Sequence, residues 1–314
     1  MNFFDEPEHA SVLGAPEIKY DISAAVAIAP IPFNISLNPD KVLLGKLLFY
    51  DPRLSGDNSV SCASCHNLAT GGTIRTAKVV GINNQLSTRN SPTLFNSAFN
   101  FTQLWDGKFN TLEQQIEAVI LSPSVMGSDW LSVLDKLKQD PEYVKAFALI
   151  YEDVINKKSV KDAIATFERS LITPNSRFDQ YLRGDTNALT AQEEEGYQLF
   201  SSLGCISCHQ GINIGGNLFQ KIGLFKDYKS NADVDLGRFG VTGDENDRHV
   251  FKVPSLRNVA QTAPYFHDGT VKTLEDAIKL MADYQLGREI SAAETTKISA
   301  FLKTLSGTYL GEAL

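Results

Sequence analysis

Two copies of the pattern Cys-x-x-Cys-His are the residues of this chain best suited to chemistry. They span Cys62–His66 and Cys205–His209. Two cysteines three positions apart can form thioethers with the two vinyl groups of one haem, and the histidine that follows can ligate its iron. The spacing therefore predicts two covalently bound c-type haems, one at each motif.

The cysteine usage supports this interpretation. All four cysteines of the chain lie in the two motifs, so none remains for a disulfide. The alternative is a single zinc site built from all four thiolates. That alternative leaves His66 and His209 without a role, whereas two haems use both histidines.

The haem prediction also indicates a compartment. Haem is attached to c-type cytochromes outside the cytoplasm, so we expect a periplasmic protein. The start of the sequence has neither a basic nor an apolar segment, and we expect that a signal peptide has been removed from it. No run of about 18 apolar residues exists, so no membrane span is predicted.

Length and composition are those of a globular protein of about two domains. The chain has 314 residues, of which 43% are hydrophobic and 21% charged, and its formal net charge is −8. Such acidity argues against nucleic acid as a partner and suits a basic electron-donor protein. Solubility alone also explains the charge, and it is the explanation that we prefer.

A weak internal repeat surrounds the two motifs. Gly45–Phe49 precedes the first motif, and the similar stretch Gly196–Phe200 precedes the second. The repeat predicts a duplicated cytochrome c unit. We expect an N-terminal domain over residues 1–172 and a C-terminal domain over residues 173–314, with the last helix able to pack back on the first domain.

Most of the remaining sequence has the apolar spacing of helices. Four such segments begin after a residue suited to cap a helix, namely Thr111, Thr190, Thr273 and Ser291. The segment Ala77–Gly81 is the one candidate strand. The predicted fold class is therefore mostly α, with two cytochrome c-like domains that each carry one covalently bound haem.

The ligand on the far side of each iron decides what that haem does. A second strong ligand makes an electron-transfer centre, whereas an open position lets a small molecule bind. Few side chains outside the motifs could serve, and they are His9, His249, His267, Met126 and Met281. Met281 suits an electron-transfer haem, but it also fits the apolar stripe of its own helix.

Several stretches of the chain match a known family. Through them the chain resembles the bacterial di-haem cytochrome c peroxidases over nearly its whole length, from about Leu37 to Leu305. Together the motifs are highly specific. The stretches that carry the resemblance are Gly45–Ser55, Cys62–Gly72, Arg89–Thr93, Trp105–Gly107, Phe251–Asn258 and Ala263–Gly269.

The resemblance implies different roles for the two haems. The N-terminal haem, bound by Cys62, Cys65 and His66, is expected to react with hydrogen peroxide. The C-terminal haem is expected to take electrons from a small cytochrome c or a cupredoxin. Its attachment residues and iron ligand would be Cys205, Cys208 and His209.

The resemblance also implies a sixth ligand for the C-terminal haem. The family places a methionine in the helix after its Phe-His-Asp-Gly motif, and Met281 stands at that place. The related di-haem enzyme that matures methylamine dehydrogenase uses a tyrosine instead. Tyr284 lies one helical turn from the expected position, so Met281 is the preferred ligand.

Further residues take a role from the resemblance. Trp105 matches a tryptophan between the haems that can relay electrons, although a buried tryptophan can also serve packing alone. A calcium ion is expected between the domains, held by the side chain of Asn90 and the carbonyls of Thr262 and Pro264 with water. We expect His267 to be a structural histidine. Family members are commonly homodimers.

The chain departs from the family at the first haem. Many members carry a histidine, in the loop after the first motif, that blocks the iron until the other haem is reduced. Between Asn67 and Arg89 this chain has neither a histidine nor a methionine. We therefore expect the N-terminal haem to be open, or capped by water, at rest.

A second departure concerns acid–base chemistry. Val125 stands where the family has a distal glutamate, which moves a proton between the peroxide oxygens and contributes about 10²–10⁴-fold. Gln115 matches the distal glutamine, and its amide can hydrogen-bond a ligand but cannot shuttle protons. The neighbouring Glu113 and Glu117 are expected to point to other faces of their helix.

Three functions are compatible with these residues. The first is a peroxidase-like oxidoreductase that reduces hydrogen peroxide with electrons from a small periplasmic donor, which enter through the C-terminal haem. The second is a di-haem enzyme that oxidises a partner protein or a small molecule. The third is an electron carrier or ligand-binding sensor without efficient peroxide turnover. The resemblance favours the first, and Val125 favours the other two.

Overall fold

Helices dominate the structure, a computed structural model that describes residues 27–228 and 235–314. None of the described helices is both long and apolar enough to cross a lipid bilayer. The helices are α1 (Pro39–Tyr50), α2 (Cys62–Cys65), α3 (Leu112–Leu121), α4 (Trp130–Lys138), α5 (Pro141–Tyr151), α6 (Lys157–Ser170), α7 (Arg177–Leu182), α8 (Ala191–Ser202), α9 (Phe239–Thr242), α10 (Leu274–Leu286) and α11 (Ala292–Lys303). The mostly α fold class is thereby confirmed.

The strands are short and form two small hairpins. Strand β1 pairs antiparallel with β2, and β3 pairs antiparallel with β4. Single turns of 3-10 helix connect many of the other elements. The strands are β1 (Phe219–Lys221), β2 (Val250–Lys252), β3 (Thr308–Tyr309) and β4 (Glu312–Ala313).

The four predicted helix starts are confirmed. Thr111, Thr190, Thr273 and Ser291 each accept a hydrogen bond from the backbone N–H three residues later. At α8 and α11 a glutamate at that third position returns a bond to the cap, which completes a capping box. These local bonds fix where four helices begin.

The segment Ala77–Gly81 does not form the strand for which it was the candidate. Its part in β structure is one isolated bridge, between Val80 and Leu86. The next residue turns to another loop instead, because the N–H of Ile82 donates to the carbonyl of Val125 at 3.0 Å. The backbone next to this segment therefore connects two loops and does not extend a sheet.

Each half of the molecule is built on one close crossing of two helices. Helix α1 crosses α6 at Gly45, where an added Cβ would lie 2.0 Å from the carbonyl oxygen of Ala163. Helix α8 crosses α11 at Gly196, where an added Cβ would lie 2.0 Å from the carbonyl oxygen of Lys297. The internal repeat of the sequence therefore corresponds to a repeated helix crossing.

The segments at the two ends of the described chain pack in different halves. Helix α11 packs along α8, in the second half. The segment after it returns to the first half, since Tyr309 packs edge-on against Phe95 with ring centroids 5.2 Å apart. Before α1, Ile28 packs in the core of the second half. The boundary at residues 172 and 173 stays a prediction.

Candidate haem sites and the region between them

The first motif lies on the short helix α2, and His66 follows its end. The Nδ1 of His66 donates to the carbonyl oxygen of Gly72 at 3.1 Å. A carbonyl can only accept, so the hydrogen is on Nδ1 and Nε2 keeps a lone pair for a metal. Burial lowers the pKa of His66, which favours this neutral ring.

The second motif repeats this arrangement on a single 3-10 turn, Cys205–Ser207. The Nδ1 of His209 donates to the carbonyl oxygen of Ile214 at 3.3 Å, which again leaves Nε2 free. Burial lowers the pKa of His209 to about 4. Both motif histidines are therefore held as the neutral tautomer that ligates iron.

The four cysteines do not converge on a zinc site. All four are free of disulfides, and the described residues contain no cluster of three or more His, Cys, Asp or Glu side chains that could hold a metal ion. Burial raises the pKa of Cys62 and of Cys65, and it raises the pKa of Cys205 to about 11. The zinc alternative is therefore rejected.

A cavity of 490 Å³ adjoins the second motif, a volume typical of a cofactor pocket. His209 lines it together with Met281, which α10 supplies. Tyr284 does not line this cavity; its ring packs edge-on against Tyr228, with centroids 5.8 Å apart. Met281, and not Tyr284, therefore shares the cavity with His209.

Trp105 also lines the cavity and is held where the two halves meet. Its Nε1 donates to the carbonyl oxygen of Asn90 at 2.9 Å, and its own carbonyl accepts from the N–H of Lys252 at 2.8 Å. His267 lies edge-on to the indole, at 6.4 Å between centroids. The imidazole stacks on Phe251 at 4.2 Å, as expected of a structural histidine.

The residues predicted for calcium lie partly together. The side-chain nitrogen of Asn90 donates to the carbonyl oxygen of Pro264 at 2.7 Å, and Thr262 lines the same cavity. Amide and carbonyl oxygens are the ligands that a hard cation prefers, so the donor set fits calcium. The ion itself stays a prediction.

Helix α3 places Gln115 half-buried, between two glutamates that are already paired. Glu113 accepts from Arg169 at 2.5 Å, and Glu117 accepts from Lys161 at 2.6 Å. The pKa of Glu117 is lowered chiefly by its hydrogen bonds from lysines of α6. Neither carboxylate stands in for the missing distal glutamate, which agrees with the expectation from helical spacing.

Two loops meet at Val125, where the resemblance places a distal glutamate. Ile82, in the loop after the first motif, is 7% exposed, and its N–H bonds to the carbonyl of Val125. Its side chain fills the space beside Gly127. Met126, the candidate iron ligand of the second loop, is buried in a core with Leu48 and Ile116. The contact itself consists of a backbone hydrogen bond and the side chain of Ile82, and neither can shuttle a proton or ligate iron.

Two of the buried charged residues that sequence reasoning gave no role form no ion pair among the described residues. Lys252 lies in the apolar strand β2 and is 8% exposed. Glu168 occupies the apolar stripe of α6 beside Phe167 and Leu171, and it is 3% exposed. A charged residue inside a stripe of apolar ones was the signal that could have found both.

Burial sets the state of Glu168. Its Oε2 is buried without a hydrogen-bond partner among the described residues. Burial raises the pKa of Glu168 to about 8, against the opposing field of Arg169. The carboxyl is therefore largely protonated at neutral pH, and it lies close enough to Cys62 to contribute to the raised pKa of that thiol.

Comparisons with known proteins agree with this geometry. The family described as di-haem cytochrome c peroxidase matches residues 39–187. Cytochrome c peroxidase Ccp of Escherichia coli is 45% identical over 90% of this chain, which spans 61% of that relative's length. Cytochrome c551 peroxidase of Nitrosomonas europaea is 44% identical, with 91% of this chain and 86% of the relative aligned.

A solved structure shows the same architecture. The crystal structure of a MauG-like protein associated with microbial copper homeostasis superposes with a TM-score of 0.78. It is 28% identical, and the match covers 92% of this chain and 95% of that one. With its two haem-attachment motifs and these relatives, the chain belongs to the di-haem cytochrome c peroxidase family.

Proposed function

We propose that the protein reduces hydrogen peroxide with electrons that enter at its C-terminal haem. The observation that carries the proposal is an asymmetry between the two motifs. His209 shares a cavity with Met281, whereas the loop after the first motif contains neither a histidine nor a methionine between Asn67 and Arg89. A haem with two protein ligands transfers electrons, and a haem with an open position can bind and reduce a small molecule.

The residues that would hold the cofactors follow from the two motifs. At each site two thioethers would anchor the haem, and a neutral histidine would donate Nε2 to the iron. Met281 would supply the second ligand at the C-terminal site. The full set is Cys62, Cys65, His66, Cys205, Cys208, His209 and Met281.

Trp105 is suited to carry electrons between the sites. One hydrogen bond from its indole reaches Asn90 in the first half, and its backbone is tied to Lys252 in the second half. A residue fixed through both its indole nitrogen and its backbone carbonyl reorganises little when the charge of its ring changes. Its packing against His267 is compatible with this role.

Proton transfer at the first site would be slow. Gln115 can donate a hydrogen bond to a bound ligand but cannot exchange a proton with it. Glu113 and Glu117 are held in ion pairs on α6. Since Val125 supplies no carboxylate, we expect peroxide reduction below the rate of an enzyme that has one.

The setting of the enzyme follows from its charge and its family. A formal charge of −8 favours a small basic cytochrome c or a cupredoxin as the electron donor. Covalent haem favours the periplasm. A calcium ion at Asn90, Thr262 and Pro264 would tie the two halves together, and a homodimer is the expected assembly.

Stopped-flow mixing with peroxide tests the proposal. The fully ferric and the half-reduced protein are each mixed with peroxide, with a reduced small cytochrome c as donor. We expect the ferric form to turn over, because the loop between Asn67 and Arg89 has no histidine or methionine to block the N-terminal haem. If neither form turns over while diatomic ligands still bind, the protein is a carrier or sensor and not a peroxidase.

Substitution of the proposed ligand tests how electrons enter. Met281→Ala should remove the thioether-to-iron charge-transfer absorption and lower donor-driven peroxide reduction at least tenfold, because the relay haem loses its high potential. Tyr284→Phe is the matched control on the same helix and should change neither. The reverse pattern would assign the ligand to Tyr284.

Oxidation of a partner protein or small molecule is the second candidate. Val125 favours it, because a site that lacks the family's distal glutamate has no proton shuttle for rapid peroxide turnover. Without the reduced cytochrome, the two electrons for each peroxide must come from the protein or from an added substrate. Reaction with one equivalent of peroxide that then oxidises an added phenol or indole would support this second candidate.

A further inference from the structure

Lys252 is the least expected side chain of the second half. It ends strand β2, pairs in register with Phe219 of β1, and is 8% exposed. Its backbone N–H bonds to Trp105. Among the described residues no hydrogen bond or ion pair reaches its ammonium group. A lysine so buried is normally paired.

The cavity beside His209 and Met281 supplies no partner for this charge. Lys252 lines it, and the described lining contains no aspartate, no glutamate and no arginine. Among the described residues that line this cavity, Lys252 therefore has the one side chain that is ordinarily charged at neutral pH. The remaining walls are apolar, aromatic or neutral polar side chains.

An ammonium group without a counter-ion is costly in such surroundings. Leaving water costs a charge several kcal/mol unless an opposite charge compensates it. Burial alone lowers the pKa of Lys252 to about 8. The occupant of the cavity is thus expected to bring the anion that the protein does not provide.

We propose that Lys252 binds a propionate carboxylate of the C-terminal haem and raises the reduction potential of that haem. The inference rests on the proposed function, which places this haem between His209 and Met281. The propionates are the anionic groups of a haem, so they are the partners that the cofactor offers to a lone ammonium. Lys252 is a positioning residue, not a catalytic one.

The effect on the potential follows from charge. Reduction adds an electron to the iron, and a nearby carboxylate opposes it. An ammonium that pairs with the carboxylate cancels this field and favours the ferrous state. The backbone N–H of Lys252 also bonds to the carbonyl oxygen of Trp105. A propionate held by Lys252 would therefore place the edge of the haem at a fixed position relative to Trp105, the proposed relay.

A redox titration followed by absorption spectroscopy tests the inference on the intact holoprotein. In Lys252→Met the ferrous-to-ferric ratio of the C-terminal haem at a fixed ambient potential should fall about tenfold, which is about 59 mV for one electron. The N-terminal haem should keep its potential. Lys221→Met, at an exposed lysine of the paired strand β1, should change neither haem.

Lys252→Arg keeps the charge, and it should keep the potential within a factor of about two in that ratio. Resonance Raman spectra provide a second measure, because the propionate bending mode of the wild type should shift in Lys252→Arg even if Lys252→Met fails to assemble. An unchanged potential in Lys252→Met, or an unchanged bending mode in both variants, overturns the inference. Neither measurement uses peroxide, so a protein without turnover still answers the question.

Discussion

The two halves of the molecule share their proximal architecture and differ on the opposite side. In each half a glycine, Gly45 or Gly196, lets two helices cross in backbone contact. In each half the motif histidine, His66 or His209, donates Nδ1–H to a nearby carbonyl. The scaffold that would hold a haem has thus been kept in both copies.

The distal sides are built from unrelated elements. In the second half, α10 brings Met281 to the cavity of His209. In the first half, two loops meet through Ile82 and Val125. A repeated scaffold can therefore carry different chemistry in its two halves, because neither α10 nor these loops form the helix crossing on which each half is built.

The crossing helices differ at one equivalent position. Glu168 follows Phe167 on α6, and Leu302 follows Phe301 on α11. Both are buried, at 3% and 4% exposure. The second half fills this place with an apolar side chain, whereas the first half holds a carboxyl that burial keeps protonated.

Of the substitutions that test the difference between the two halves, restoring a carboxylate at position 125 should have the largest effect. Val125→Glu should raise peroxide turnover by about 10²-fold, because a general acid–base group would then stand beside the bound ligand. The initial rate of oxidation of a reduced small cytochrome c measures it. Val125→Gln is the matched control, since its amide has the same size but moves no proton. Equal rates in the two variants would contradict the role assigned to this position.

The buried carboxyl should make the first half sensitive to pH. The pKa of Glu168 rises from 4.5 to about 8 on folding, so the folded state binds the extra proton between these values. The free energy of unfolding should then fall by about 1.4 kcal/mol per pH unit as pH rises through this window. Glu168→Gln should remove that loss and be more stable than the wild type above pH 8.

Thermal unfolding of the holoprotein between acid and mildly alkaline pH measures this difference. Glu113→Gln is the control of opposite sign: burial opposes ionisation there, but the hydrogen bond from Arg169 lowers the pKa of Glu113 overall. Its native carboxylate stabilises the fold above its unfolded pKa, so the substitution should cost stability at neutral pH. A Glu168→Gln profile parallel to that of the wild type would show that Glu168 ionises normally.

Substitutions at the shared helix crossing should have the smallest effect, and the loss of stability should be the same in both halves. Gly45→Ala and Gly196→Ala each place a methyl group against a carbonyl oxygen, at 2.0 Å before any adjustment. Overpacking of this kind costs about 1–3 kcal/mol. Gly240→Ala, which has no neighbour within 4 Å of its added Cβ, should leave the melting temperature within a degree or so. Unequal losses in the two halves would show that the crossings are not equivalent.

The features that sequence reasoning predicted correctly depend on local patterns in the chain. Thr190 and Ser291 mark helix starts because a capping box needs only residues three positions apart. The candidate strand at Ala77–Gly81 is instead part of a tight loop, in which Gly81 bonds to Gln85, and the next residue, Ile82, bonds to Val125, more than forty residues away. No local pattern reveals that distant bond. The two unexplained buried charges, Lys252 and Glu168, stood in apolar stripes, but a stripe does not say what faces it.

The sequence by itself determined the two haem-attachment motifs, the family and the mostly helical fold, because each depends on spacing along the chain. The tertiary structure decided what lies around those motifs. It placed Met281, and not Tyr284, in the cavity of His209, and it left Lys252 there without a counter-ion. Burial and pairing depend on residues far apart in the chain, and folding alone brings them together.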